Sequence, residues 1–118
     1  MRTAKIKLSK FLEDEIRGTF AQVITDIKTT EESNTFIKDF FTDTELTLLS
    51  KRLAIGYWLS KKRNYENIKT NLKVSSATIA VVSEMLNKPG FKLAIKKMEA
   101  EEWANKWAER IKKVTRLK

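Results

Sequence analysis

The chain has 118 residues, contains neither Cys nor His, and carries a formal net charge of +9. This composition excludes disulfides, thiolate metal sites and histidine general bases, and an enzyme is therefore the least favoured class of protein. With only three Gly and one Pro, the sequence favours long helices and predicts a single all-α domain over residues 1–118.

The net charge is concentrated in the second half of the chain. Residues 1–60 hold nine Lys or Arg and nine Asp or Glu, whereas residues 61–118 hold fifteen and six. A basic half indicates a polyanionic partner, with nucleic acid favoured over an anionic membrane, although a solvated surface has the same composition. Because no apolar run reaches the ~20 residues of a membrane span and no signal-peptide core follows the basic start, we expect a cytoplasmic protein.

Three helices are predicted in the neutral half. The first spans residues 8–27, and the second and third begin after Thr29 and Thr42. Glu32 and Glu45 lie three residues after these N-caps, which is the capping-box pattern. The residues expected to pack, from their three- and four-residue spacing, are Leu8, Phe11, Leu12, Ile16, Phe20, Val23, Ile24 and Ile27, then Phe36, Ile37, Phe40 and Phe41, then Leu46, Leu49, Leu53 and Tyr57, with Ile55 and Trp58 as further candidates.

Three more helices are predicted in the basic half. Asn64 and Ser75 are the N-caps of two short helices separated by two or three residues. Residues 87–90, which include Pro89 and Gly90, are predicted to break the chain before a sixth helix over about residues 91–115. The apolar seam of this helix, expected to pack within or between subunits, consists of Phe91, Ile95, Met98, Trp103, Trp107, Ile111 and Val114.

Residues 64–87 carry the functional prediction. A short helix, a tight connection and a second helix that starts with small residues are typical of a helix-turn-helix motif, although a plain helical hairpin has the same spacing. Small side chains at that start let the backbone approach the major groove of DNA, and flanking lysines neutralise phosphates. The small residues are Ser75, Ser76, Ala77 and Thr78, and the cations are Lys69 and Lys73, with Lys61, Lys62 and Arg63 just before the motif.

Residues 30–87 resemble the Trp repressor superfamily. The matching positions are residues 41–46, 51–53, 65–68 with Leu72, and 74–79, and they are most similar to a Trp repressor-like subgroup whose recognition helix contains V-S-x-A-T-I-S-R-V. The resemblance implies a six-helix, intertwined homodimer that binds double-stranded DNA as a bacterial-type transcriptional regulator. It also implies that Ser76, Ala77 and Ala80 approach base edges, and that Lys69 and Thr78 approach bases or phosphates.

The sequence departs from the tryptophan-sensing members of this superfamily. Their corepressor lies between two arginines; Arg52 matches the first, but Val81 occupies the second position and Val82 follows it in place of a small residue. We therefore expect neither a cavity for tryptophan nor a response to it, and no cofactor or metal. Ala80 and Val81 also replace a Ser-Arg pair of the subgroup, which removes one phosphate-binding cation.

Two other functions compete with DNA binding. Ala80, Val81 and Val82 favour a protein-interaction module that has weakened or lost DNA binding, with a partner helix held by the C-terminal helix. A membrane-surface role for that basic, Trp-bearing helix ranks third, because Glu99, Glu101, Glu102 and Glu109 interrupt its charge. Carboxylate pairs such as Glu101 and Glu102 diverge around a helix, which leaves them as solvated surface groups.

Overall fold

The computed structural model describes residues 7–116, with side chains described for residues 7–102. Within this range it contains helices and no strand, which confirms the all-α prediction. The helices are α1 (Lys10–Asp26), α2 (Thr30–Phe40), α3 (Asp43–Ser60), α4 (Tyr65–Leu72), α5 (Ser76–Met85) and α6 (Pro89–Arg116). They fall into two compact units, Met1–Asp43 and Thr44–Lys118, and the single domain expected from chain length stays a prediction.

Side-chain caps start both helices of the first unit. The hydroxyl of Ser9 accepts a hydrogen bond from the Leu12 amide, and that of Thr29 accepts one from the Glu32 amide. The Glu32 carboxylate accepts from the amide of Lys28, at 2.9 Å, and this bond lies one residue earlier than in a standard capping box. The start of α2 was therefore predicted correctly, although the Glu32 carboxylate accepts from the amide one residue before the N-cap.

A cluster of phenylalanines joins α1 to α2. The ring of Phe20 stacks on that of Phe40 with 5.6 Å between centroids, and Phe36 stacks on Phe40 at 4.9 Å. Phe36, Ile37 and Phe41 are half-buried and Phe40 is 60% exposed, so the predicted residues of α2 pack but none of them is fully buried. Because two helices can cover only one side of each other, much of the apolar surface of α1 stays exposed to solvent within this chain.

The second unit has a small apolar core. Ile55 of α3, Ile68 of α4 and Ile79 of α5 are fully buried, and Val82 is 2% exposed. The side chains packed around them are partly buried and belong to Trp58, Leu59, Leu72, Val74 and Phe91. This core fixes α4 and α5 against α3.

The predicted packing face of α3 is partly wrong. Leu49 and Leu53 are 39% and 38% exposed, whereas Ile55, only a further candidate in the sequence, is the buried contact. Both leucines lie more than about 100° from Ile55 around the helix axis. They line an apolar groove of about 320 Å³ together with Arg52, Gly90, Phe91 and Ala94.

The chain breaks between α5 and α6 at residues 86–88, so the predicted break at residues 87–90 is correct in part. Pro89 is the first residue of α6 and Gly90 the second, so this pair begins the helix and does not form a separate turn. Proline suits the first helical position because an amide there has no partner within the helix. Of the predicted seam, Ile95 is buried and Phe91 and Met98 are half-buried. The side chains of the other seam residues, Trp103, Trp107, Ile111 and Val114, lie outside the described residues.

Candidate nucleic-acid interface

Local hydrogen bonds define the two helices of the predicted motif. The side chain of Asn64 accepts from the Asn67 amide at 2.8 Å and caps α4, and the hydroxyl of Ser75 accepts from the Thr78 amide at 3.1 Å and caps α5. Residues 73–75 connect the two helices. Both caps and the short connection agree with the sequence prediction, so the chain has the secondary structure of a helix-turn-helix.

The two sides of α5 differ in burial. Ile79 and Val82 lie in the core, whereas Ser76, Ala77 and Ala80 are exposed on other sides of the helix. These three side chains are among the smallest available, so the backbone of α5 can come close to a flat or grooved partner. We call α5 the recognition helix from here on.

All of the residues predicted to bind DNA are exposed. They are Lys69, Lys73, Ser75, Ser76, Ala77, Thr78 and Ala80. The hydroxyls of Ser75 and Thr78 lie 3.0 Å apart and form a hydrogen bond with each other, in addition to the cap that Ser75 provides. Ser75 therefore has a structural role at the start of the recognition helix, and Ser76 has the less engaged hydroxyl.

Two of the three cations that precede the motif have partners within the chain. Lys61 pairs with Glu99 and Glu102 at 3.4 and 3.7 Å. The guanidinium of Arg63 lies 4.1 Å from the ring centroid of Trp58 and also donates to the Asn67 side chain. These two cations hold α4 and α6 to the end of α3, a role that their position in the sequence did not indicate.

Lys69 and Lys73 form no ion pair with any carboxylate whose side chain the structure describes. Lys69 lies in the last turn of α4, and Lys73 lies in the connection immediately before the recognition helix. Their charges are therefore available at the same end of the motif as the small residues. Such placement suits contact with phosphates that flank a groove.

Glu84 is a charged residue of this region that the sequence prediction missed. It is exposed and follows Ala77 by seven residues and Ala80 by four, so the three share one side of the recognition helix. This helical spacing was available in the sequence. A carboxylate there repels phosphate and accepts hydrogen bonds from base amino groups, such as N4 of cytosine.

A cleft of about 420 Å³ separates α3 from the recognition helix, so the prediction of no cavity is wrong. Its polar and cationic lining comes from Lys51, Arg52, Lys73, Ser75 and Thr78, and its apolar lining from Leu48, Ile55, Val74, Val81, Val82 and Met85. The bulk of Val82 was expected to fill this space, but its side chain packs into the core and is 2% exposed.

Two features of the described residues concern metal binding and membrane insertion. No group of three or more acidic side chains there is placed to hold a metal ion. None of the helices in that part of the chain has the length and apolar character needed to span a bilayer.

Comparison with known proteins identifies the family. The model of the Trp repressor protein family matches residues 18–99, which include the whole of α2 to α5 and more than half of the chain. Searches of curated proteins and of solved structures gave no significant match. The matched range contains both helices of the motif, their connection and the α3 residues that line the cleft. The chain therefore belongs to the Trp repressor family, a family of helix-turn-helix regulators.

Proposed function

We propose that this protein is a cytoplasmic, homodimeric transcriptional regulator that binds double-stranded DNA sequence-specifically and does not respond to tryptophan. The observation that carries the proposal is the exposed small-residue face of the recognition helix, formed by Ser76, Ala77 and Ala80 over the buried Ile79 and Val82. A helix of this kind can enter the major groove without steric conflict.

Electrostatics supports the same partner. Lys69 and Lys73 lie beside the start of the recognition helix, and the half of the chain that contains them carries the whole net charge. Contacts from lysines to phosphates are blind to sequence and sensitive to salt. Specificity then comes from the few groups on the recognition helix, from DNA shape and from bridging water.

The lack of a tryptophan response rests on Val81. This residue lines the cleft beside Arg52, at the position where the resemblance places a second arginine. A valine offers no donor for a carboxylate. We expect saturating tryptophan to leave the melting temperature unchanged in a thermal unfolding assay; a reproducible rise of several degrees would contradict this part of the proposal.

DNA binding is tested by selection from a randomised duplex pool, followed by affinity measurements on the enriched duplex. We expect an enriched two-fold symmetric sequence with half-sites about one helical turn apart. Lys69→Glu and Lys73→Glu should each weaken binding at least tenfold, because each replaces a phosphate-neutralising charge with a repelling one. Lys38→Glu, an equal charge change on α2, is the matched control and should have a much smaller effect. No enrichment at low salt would overturn the proposal.

A second candidate function has one observation in its favour. Val81 is 52% exposed on the recognition helix, where the related subgroup has an arginine. An exposed β-branched apolar residue suits contact with protein better than contact with phosphate. If no duplex is enriched, the fold serves as a protein-interaction module, and Val81→Lys would then weaken binding to its protein partner.

A further inference from the structure

The middle of the recognition helix and the segment before it have different surroundings. Ile79 and Val82 anchor its middle in the core. The segment before it, with Lys73 and Ser75, lies across the cleft of about 420 Å³ from α3. Val74 of that segment also packs against the core, so apolar contacts hold both the middle of the helix and the segment before it, and the cleft leaves the side of the segment that faces α3 open.

One polar contact crosses this cleft in the described part of the chain. Nζ of Lys51, on α3, donates to the main-chain carbonyl of Lys73 at 3.5 Å. Lys73 adopts a left-handed conformation, with φ of 56°, one residue beyond the end of α4. Its carbonyl is consequently outside the helical hydrogen-bond ladder of α4, whereas the amides of Lys73 and Val74 both donate to the carbonyl of Lys69.

At 3.5 Å this contact is longer than the about 2.8 Å of a strong charge-assisted hydrogen bond, but the charge of the ammonium still attracts the carbonyl oxygen at that distance. The donor is an ammonium group, and charged donors form stronger hydrogen bonds to carbonyls than neutral donors do. Lys51 is half-buried and pairs with no carboxylate among the described side chains, so no acidic group competes for it.

We propose that Lys51 is a positioning residue that fixes the start of the recognition helix against α3, through the Lys73 carbonyl, without a bound effector. The inference rests on the proposed function, because positioning matters where the helix must fit a DNA groove. In this role Lys51 acts through the Lys73 carbonyl and not through a phosphate, and it sets the angle at which Ser76 and Ala77 meet the bases.

Two substitutions and a matched control test this role by DNA affinity. Lys51→Met keeps the length of the side chain and removes the donor, Lys51→Arg keeps a cationic donor, and Lys69→Met removes an expected phosphate contact. Affinities are measured for the selected duplex and for an unrelated duplex over a range of salt. Lys51→Met should weaken binding to the selected duplex about fivefold to tenfold, the size of one ordinary hydrogen bond, and Lys51→Arg should restore most of it.

The salt dependence separates positioning from direct contact. Lys51→Met should leave the unrelated duplex and the salt slope unchanged, whereas Lys69→Met should weaken both duplexes and lower the slope by about 0.9. Unchanged affinity in Lys51→Met, or loss on both duplexes with a lower slope, would overturn the inference.

Hydrogen exchange in the free protein provides a measurement that does not depend on DNA. The amide of Thr78 donates to the Ser75 hydroxyl and that of Ile79 to the Ser75 carbonyl, so both report on the start of the recognition helix. Both amides should exchange faster in Lys51→Met than in the parent and in Lys51→Arg. Equal exchange rates would reject the positioning role. If the parent selects no duplex, the proposed function fails, while this exchange comparison still decides the role of Lys51.

Discussion

Two lysines end helices in a backbone conformation that favours glycine. Lys62 has φ of 66° and Lys73 has φ of 56°. After α3, the amide of Lys62 donates to the Leu59 carbonyl and that of Arg63 to the Trp58 carbonyl, the two bonds of a Schellman motif. A residue with a β-carbon is destabilised by roughly 1 kcal/mol in the left-handed backbone conformation. The surrounding hydrogen bonds therefore hold each lysine in it.

Replacing Lys62 by glycine should stabilise the protein. Lys62→Gly relieves the steric cost at φ of 66° and leaves both Schellman hydrogen bonds in place, and we expect the free energy of unfolding to rise by about 0.5 kcal/mol. Urea denaturation followed by circular dichroism measures it. Ser60→Gly, in the last turn of α3, is the control and should lower stability by up to about 1 kcal/mol. A loss of stability in Lys62→Gly would show that its side chain contributes more than the strain costs.

Single residues also show which local structures could be predicted from the sequence. Thr29, Asn64 and Ser75 were identified as N-caps because a capping side chain acts on amides two or three residues away. Nothing local marks Lys62 or Lys73 as left-handed, since glycine is the usual signal and is absent at both positions. Pro89 was misassigned because the same residue serves a turn and the first position of a helix.

Among the elements, α3 is the one whose packing depends most on tertiary context. Its sequence has apolar residues on several sides, including Leu48 and Leu49 in succession, and periodicity alone therefore could not select the buried side. The structure selects Ile55 for the core, and Leu48 is 61% exposed. The recognition helix was easier to predict, because its N-cap and its small residues are local features.

Gly56 provides the close approach between α3 and α6. A β-carbon at this position would lie 2.5 Å from Cζ of Phe91, so Gly56→Ala must push the ring away. Alanine gains roughly 1 kcal/mol of helix propensity, but overpacking costs about 1–3 kcal/mol. We expect a net loss of stability of about 1 kcal/mol in urea denaturation. Phe91→Leu in the same chain should reduce that loss, because the ring is the group in conflict.

Gly18 is the matched control for that substitution. It also lies inside a helix, in α1, but nothing lies within 4 Å of a β-carbon placed there. Gly18→Ala should therefore stabilise the protein by up to about 1 kcal/mol. Equal effects of the two substitutions would show that helix propensity decides both and that the contact between α3 and Phe91 is loose.

For the molecule as a whole, the exposed apolar surface is the main feature that a single chain does not explain. On α1, Leu12, Ile16 and Ile24 are 42%, 49% and 52% exposed along one side of the helix. On α3, Leu49 and Leu53 border an open apolar groove. Exposed apolar surface of this kind, on either unit, usually marks an interface with another chain. A second copy is the partner that we propose, as the resemblance to the Trp repressor superfamily implies.

A charged substitution on α1 tests the proposed dimer. Ile16→Asp places a carboxylate in the middle of the apolar side of α1, and we expect the molecular mass from light scattering to fall from that of a dimer to that of a monomer. Because Ile16 is half-exposed within one chain, the substitution should leave the helix content unchanged at a concentration where the monomer is folded. Thr25→Asp, about 180° from Ile16 around α1 and likewise exposed, is the control and should stay dimeric. A parent protein of monomer mass at all concentrations would refute the dimer, and binding to a two-fold symmetric duplex would then require two separate chains to meet on the DNA.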